Sequence, residues 1–319
     1  MFFLTSQEVE SALHRFRDIE INECENGDSL FSKYGPGNII NGIDKPYERF
    51  SDYENLLCKY WNDDPEKYKI IHKGTPFYFL AWTAYDLRNF EKALFYMDAA
   101  ISEDKKNSSE WMKEPAAKSF FWLELPEVAQ RVTEDIRFVL KNEIKRFNTI
   151  SNITPFTIED FIEKFVRVLI TGEPKYRTIV TSFFTFLLEF KERVQELEIR
   201  STEGGSVEPF ITHLFKGGVV FESLLKIFYK GSTLPNIYKK PQFKKDFLKR
   251  VVSSANTLNK VYAAISTENM QTAFDTTTQI RNTTGHNLVW DDIFSATNYK
   301  DLYRQEINAI FYIIVKKFL

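Results

Sequence analysis

The sequence predicts an all-α protein, and three observations lead there. Glycine (12) and proline (11) are scarce in 319 residues, about half and two-thirds of their usual shares. That scarcity argues against sandwiches, barrels and other turn-rich β architectures and favours long uninterrupted helices. Apolar residues recur at helical spacing in several long segments. Phe (30) and Tyr (15) supply large apolar volume for a core, within an ordinary globular balance of 43% hydrophobic and 27% charged residues.

The first half reads as helices joined by irregular loops. Gln7 to Ile19 is a short amphipathic segment that Thr5 or Ser6 would cap, and Asn22 to Asp44 is loop-like, with Gly27, Gly35, Pro36, Gly37 and Gly42. From Gly74 two apolar-periodic segments flank Leu87-Arg88-Asn89, with Ala81, Ala93 and Ala100 placed where two helices can approach closely. This hairpin resembles a tetratricopeptide repeat. Ala81, Phe90, Ala93 and Ala100 match its small and aromatic positions, while Lys105 departs from the terminal proline position. Two further helices, Trp111 to Leu125 and Pro126 to Phe147, are expected to stack on it as a degenerate repeat, because such units need neighbours to bury their faces. The resemblance implies a domain over residues 1–150 that holds a peptide, a regulatory protein or an antitoxin.

The polar stretch 148–155 suits a domain boundary. Longer helices follow: Thr157 to Ile170, Pro174 to Arg200, Pro209 to Lys230, Gln242 to Ile265, one from near Thr267 toward Arg281, and Tyr299 to Phe318. Loops at Gly204-Gly205 and from Gly231 to Pro241 separate them. Consecutive long helices on short links are the pattern of a bundle over residues 152–319. The halves differ in charge: residues 1–151 hold 20 basic and 26 acidic residues, and residues 152–319 hold 22 and 18. The basic half could meet phosphate, although solvated helix faces alone could produce the imbalance.

Two cysteines, Cys24 and Cys58, make no disulfide framework, and His14, His72 and His213 have no partners at ligand spacing, so no metal or cofactor is expected. The opening MFFLTSQEVE lacks the features of a signal peptide. The apolar run Ala309 to Val315 is far short of the roughly 18 residues of a membrane span. A soluble, cytoplasmic protein with no membrane partner is the expectation.

The chemistry-bearing segment is Gln279-Ile280-Arg281-Asn282-Thr283-Thr284-Gly285-His286. Its pattern, R-N-x3-H, resembles the active-site motif of the HEPN family, all-helical domains that include many metal-independent ribonucleases. The resemblance covers residues 152–319 and implies an endoribonuclease that leaves 2′,3′-cyclic phosphate ends and acts as a toxin or antiviral defence effector. It also implies a homodimer, since in the family two motifs line one cleft. The chemistry suits the residue types. Histidine titrates near neutrality and can take or give a proton, while arginine stays charged and grips phosphate oxygens in two-pronged fashion. Thr283, Thr284 and Gly285 are poor helix formers, which puts the motif at a helix start or kink, where backbone N–H groups would help hold phosphate.

Plainer roles exist for each residue. His286 could be a core histidine satisfied by a carbonyl, Arg281 could pair with an acidic residue, and Asn282 could cap the following helix. Glu222, among apolar neighbours, looks similar to the family's acidic residue on an earlier helix, where it would orient His286 or pair with Arg281; otherwise it faces solvent. Lys239, Lys240, Lys244, Lys245, Lys249 and Arg250 form a basic strip interleaved with Tyr238, Phe243 and Phe247. It would guide an RNA backbone with aromatics to stack bases, or be the wet face of a helix whose apolar face, Phe243, Phe247 and Leu248, joins the core. The rival to an enzyme is a catalytically inactive scaffold that binds protein or RNA.

Overall fold

Scarce breakers and helix-spaced apolar residues do produce an all-α chain. The computed structural model describes residues 46–124, 130–199, 206–231, 233–248, 268–286 and 295–319, and every regular element among them is helical. The segments Gln7 to Ile19 and Asn22 to Asp44, the Gly204-Gly205 loop and residues 249–265 lie outside the described residues. Among the described residues no helix is long and apolar enough to cross a membrane. The chain divides into two compact units, Met1–Glu134 and Asp135–Leu319.

In the first unit, helices α1 (Pro46–Asp63), α2 (Pro65–Ile70), α3 (Gly74–Asp86), α4 (Phe90–Asn107) and α5 (Pro115–Phe120) follow one another. The expected hairpin is α3 and α4. Ala81, Ala84, Ala93 and Ala100 are all buried, and small residues are what lets two helices approach closely. The turn places Arg88 at φ 56, and the Asn89 side chain then caps α4 by accepting from the Lys92 N–H at 3.1 Å. The expected helix from Trp111 to Leu125 is instead a 3-10 turn, Trp111–Lys113, followed by α5, because Pro115 cannot continue a preceding turn. Leu123 at φ 48 ends the segment.

Helix α6 (Gln130–Ile150) contains the point where the units divide. The boundary expected at 148–155 therefore does not coincide with the observed one. Those residues fold into the second unit: Asn148 donates to the Phe156 carbonyl at 2.8 Å, and Phe147 and Phe156 both pack edge-on against Phe311. The polar letters of the stretch are caps and turns over an aromatic anchor.

The second unit continues with α7 (residues 158–171), α8 (Arg177–Ile199), α9 (Glu208–Phe228), the short α10 (Leu234–Tyr238) and α11 (Pro241–Asp246), then α12 (Met270–Thr284) and α13 (Ala296–Lys317). A capping box between Thr157 and Asp160 starts α7. The segment expected to be an unstructured break, Gly231 to Pro241, contains α10, and α11 stops at Asp246 where a longer helix was expected. Helices α9 and α13 pack on each other and each on both α8 and α12, which makes a four-helix bundle. Every residue of α13 from Gln305 to Ile314 is buried, so α13 is its central rod.

That rod carries polar groups into the core. Glu306 is fully buried, and neither carboxyl oxygen meets a partner in normal hydrogen-bond geometry. Burial holds its carboxyl well above the ordinary value of 4.5, a shift the Gly218 N–H opposes only in part. His213 is the opposite case. Its Nε2–H donates to the Phe186 carbonyl at 2.8 Å, which leaves Nδ1 to accept from the Tyr299 hydroxyl at 2.6 Å. Burial depresses it from 6.5 to about 3, the carbonyl opposing and Lys216 and Arg193 adding.

These two groups shape the pH profile of stability with opposite signs. Above about 4.5 an unfolded Glu306 ionises while the folded one stays protonated, so stability falls as pH rises until the folded carboxyl also ionises. Below about 6.5 an unfolded His213 takes a proton that the folded one refuses down to about 3, so stability falls as pH drops through that window. Between 4.5 and 6.5 the slopes oppose each other. Thermal unfolding followed by circular dichroism should show a plateau there with losses on both sides. Glu306→Gln should flatten the alkaline limb and raise Tm at pH 8, leaving the acid limb in place. Equal alkaline slopes in the variant and the wild type would contradict this assignment.

Candidate functional site

The site is built where α9 and α12 cross. Position 218 must be small there: a Cβ on Gly218 would lie 2.7 Å from the Arg281 Cβ and 3.2 Å from its Cα. With only hydrogen at that point, the Arg281 stem lies directly on the α9 backbone. The guanidinium then reaches Glu222, one turn further along α9, and its Nε–H donates to Oε2. The other carboxyl oxygen, Oε1, accepts from Lys226 at 2.7 Å, the α9 residue one turn on again. One carboxylate thus faces two cations, and the cluster carries a net positive charge. The Glu222 side chain is 6% exposed, against 41% for Lys226 and 29% for Arg281, so the cations form the solvent side.

The motif sits at the end of α12, not at a helix start or kink. Thr283 and Thr284 continue the helix, with the Thr284 hydroxyl bonded back to the Ile280 carbonyl at 2.6 Å. Gly285 is the C-cap. The threonine–glycine run, read as unfavourable to helix, is therefore a stop signal. The consequence is electrostatic: a C-terminus presents carbonyls, so the backbone here favours the cation Arg281 and offers no N–H cradle for phosphate. His286 lies just past the cap, with its N–H bonded to the Thr283 carbonyl at 3.2 Å. It is exposed, so it is not a core histidine. That role belongs to His213, for which the sequence suggested nothing.

Arg281 folds back toward the same end: its Nη1 is 3.8 Å from where a Gly285 Cβ would stand. Asn282 is half-buried on the last turn, and it does not cap the next described helix, whose N-cap is Ser295. Of the expected site residues, the structure brings Glu222 and Arg281 into contact. His286 follows Arg281 by five residues, just past the Gly285 cap.

The basic strip is tied to this cluster by a contact the sequence did not reveal. The buried Tyr238 hydroxyl and Thr278 Oγ1 are hydrogen-bonded at 2.5 Å, and Thr278 stands one turn before Arg281. Burial pushes the Tyr238 phenol up; Thr278 and Arg281 oppose, and Glu222 and Asp275 add, as expected for a hydroxyl facing the cluster. Lys239 and Lys240 follow directly. They and Lys244 and Lys245 are exposed, with no carboxylate partner among the described residues; Lys249 and Arg250 lie outside those residues.

Asp246, the acid within the strip, is turned inward. Burial would raise its carboxyl, but hydrogen bonds from Lys317, Tyr229 and Gln242 hold it at about 2. The interleaved aromatics pack inward, with Phe243 and Phe247 on the strip's apolar face as the sequence suggests, and they form no stacking platform. Tyr229, Tyr238 and Phe243 are buried, and Phe247 packs on Phe243 and Phe274.

Compared with known protein families, curated proteins and solved structures, the chain shows no significant match to any of them.

The crossing at Gly218 gives a direct test of the geometry. Alanine there would gain about 1 kcal/mol of helix propensity. The clash with Arg281 involves backbone and stem atoms that cannot swing away, and overpacking costs about 1–3 kcal/mol. Gly218→Ala should therefore lower stability by a net of up to about 2 kcal/mol in urea unfolding. Higher stability would show that α9 and α12 have room to part.

Proposed function

We propose that this protein is a metal-independent endoribonuclease of the HEPN kind, working as a toxin or defence effector. The observation that supports the reading is an exposed histidine, His286, one residue past the helix end toward which the fixed Arg281 reaches, its Nη1 3.8 Å from where a Gly285 Cβ would stand. Glu222 sets the position of that guanidinium. In the reaction, a base takes the ribose 2′-OH proton, the 2′-oxygen attacks phosphorus, and the P–O5′ bond breaks as an acid protonates the leaving oxygen. His286 serves one proton role, and Arg281 stabilises the added phosphate charge. The products are a 2′,3′-cyclic phosphate and a 5′-hydroxyl. Base and acid must stand on opposite sides of phosphorus, so a second copy of the second unit supplies the other histidine. The helical first unit holds the regulator or antitoxin.

Total RNA incubated with purified protein in EDTA should be cleaved as fast as with Mg²⁺. His286→Ala should reduce the rate on the order of 10²–10⁴-fold, the usual range for a general acid or base. Because His286 is exposed, the same change should alter stability by less than about 0.5 kcal/mol. Activity that disappears on chelation and returns with Mg²⁺ would contradict the mechanism.

The composite site makes a separate prediction. Wild-type protein mixed with excess His286→Ala protein should lose more activity than dilution accounts for, as inactive mixed dimers form. A fully active monomer by light scattering would exclude a shared site. One observation favours the rival reading, a silent scaffold that binds protein or RNA: Glu222 already occupies the Arg281 guanidinium. On that reading no RNA is cleaved, and Arg281→Ala affects only stability.

A further inference from the structure

Lys226 belongs to no motif in the sequence, yet it completes the cluster. Its ammonium and the Arg281 guanidinium approach one carboxylate from two helices, each taking a different oxygen. A carboxylate and a phosphodiester present the same pair of anionic oxygens to such donors. The cations are the exposed members and Glu222 lies behind them, so an anion arriving from solvent meets both without entering the bundle.

We propose that Lys226 and Arg281 are a two-cation clamp for one phosphate of an RNA backbone, and that Glu222 fills the clamp in the unliganded protein as a built-in competitor. The proposal rests on the ribonuclease reading for the identity of the phosphate. Three features support it. Gly218 fixes the Arg281 stem on α9, so both cations are held to one place. The Tyr238–Thr278 hydrogen bond pins the strip that begins at Lys239 to α12, beside the clamp, which gives neighbouring phosphates a basic path. Asp246, held by Lys317, leaves that path positive.

The clamp also defines a substrate class. With Tyr229, Tyr238 and Phe243 buried, the strip presents charge rather than these rings, so the class is a polyanionic RNA backbone gripped through its phosphates. Occupancy by Glu222 weakens binding and leaves it to substrates whose several phosphates also engage the lysine strip.

The test measures binding apart from cleavage. A labelled single-stranded 2′-O-methyl RNA, which has no 2′-OH to attack with, is titrated with full-length protein at several salt concentrations. Lys226→Gln should bind several-fold more weakly, with the slope of log K against log salt shallower by about 0.7, one lost phosphate contact on a single strand. Lys226→Arg should restore both. Glu222→Gln should bind several-fold more tightly, because both cations are released. A Lys226→Gln variant with wild-type affinity and slope, or a Lys226→Arg variant as weak as the glutamine one, would overturn the clamp. Lys226 is partly exposed, so these two variants retain the fold even where Glu222→Gln does not.

Unmodified RNA run in parallel separates this proposal from the ribonuclease reading. Charge-dependent binding without cleavage sinks the nuclease and leaves the clamp. Cleavage that needs His286 while Lys226→Gln binds normally sinks the clamp and leaves the nuclease.

Discussion

The second unit depends on two adjacent residues without side chains. Gly217 and Gly218 sit mid-way along α9, and the space their side chains would fill is already occupied. A Cβ on Gly217 would stand 2.6 Å from both a Glu306 carboxyl oxygen of α13 and the Phe186 ring of α8. A Cβ on Gly218 would meet the Arg281 stem on α12. Three helices therefore close on a fourth at a single point. Their distances of approach are set by glycine, not by interlocking side chains. Glycine in a helix costs about 1 kcal/mol relative to alanine, and this close approach offsets it.

The same crossing explains why the candidate site is rigid on one side and open on the other. Glu306 and His213 lie on the inner side, where burial disfavours the charged form of both. Glu222, Lys226 and Arg281 lie on the outer side, charged and mutually paired. Arg281 is held at its stem by α9, so an anion that displaces Glu222 meets a side chain already fixed at its base. Preorganisation of that kind lowers the entropic cost of binding. His286, beyond the Gly285 cap, is tied to the helix through its backbone N–H on the Thr283 carbonyl.

Much of this was legible in the sequence, and the parts that were not share a cause. Helix spacing in Pro174 to Arg200 and Pro209 to Lys230 located α8 and α9 within a few residues, and the alanines marked the α3–α4 hairpin. Glu222 was visible as an acid in an apolar run, and Lys226 could have been found as its i+4 partner on the same helix. What sequence could not supply was tertiary. Thr283 to Gly285 read equally as a break before a helix or a stop after one, and only the packing of α12 decides between them. His213 and His286 looked alike in isolation, yet one is buried between Phe186 and Tyr299 and the other is exposed. Phe243 and Phe247 read as the strip's apolar face, but nothing in the sequence showed that Tyr229 and Tyr238 would be buried with them.

The account stands on Arg281 and His286 acting on a phosphodiester. The measurement that tests it most directly is mass spectrometry of the ends left on a defined RNA by the purified protein, with Arg281→Ala and His286→Ala alongside. The account predicts 2′,3′-cyclic phosphate and 5′-hydroxyl ends from the wild type and intact RNA from both variants. Ends bearing 5′-phosphate, or cleavage that survives both substitutions, would contradict it.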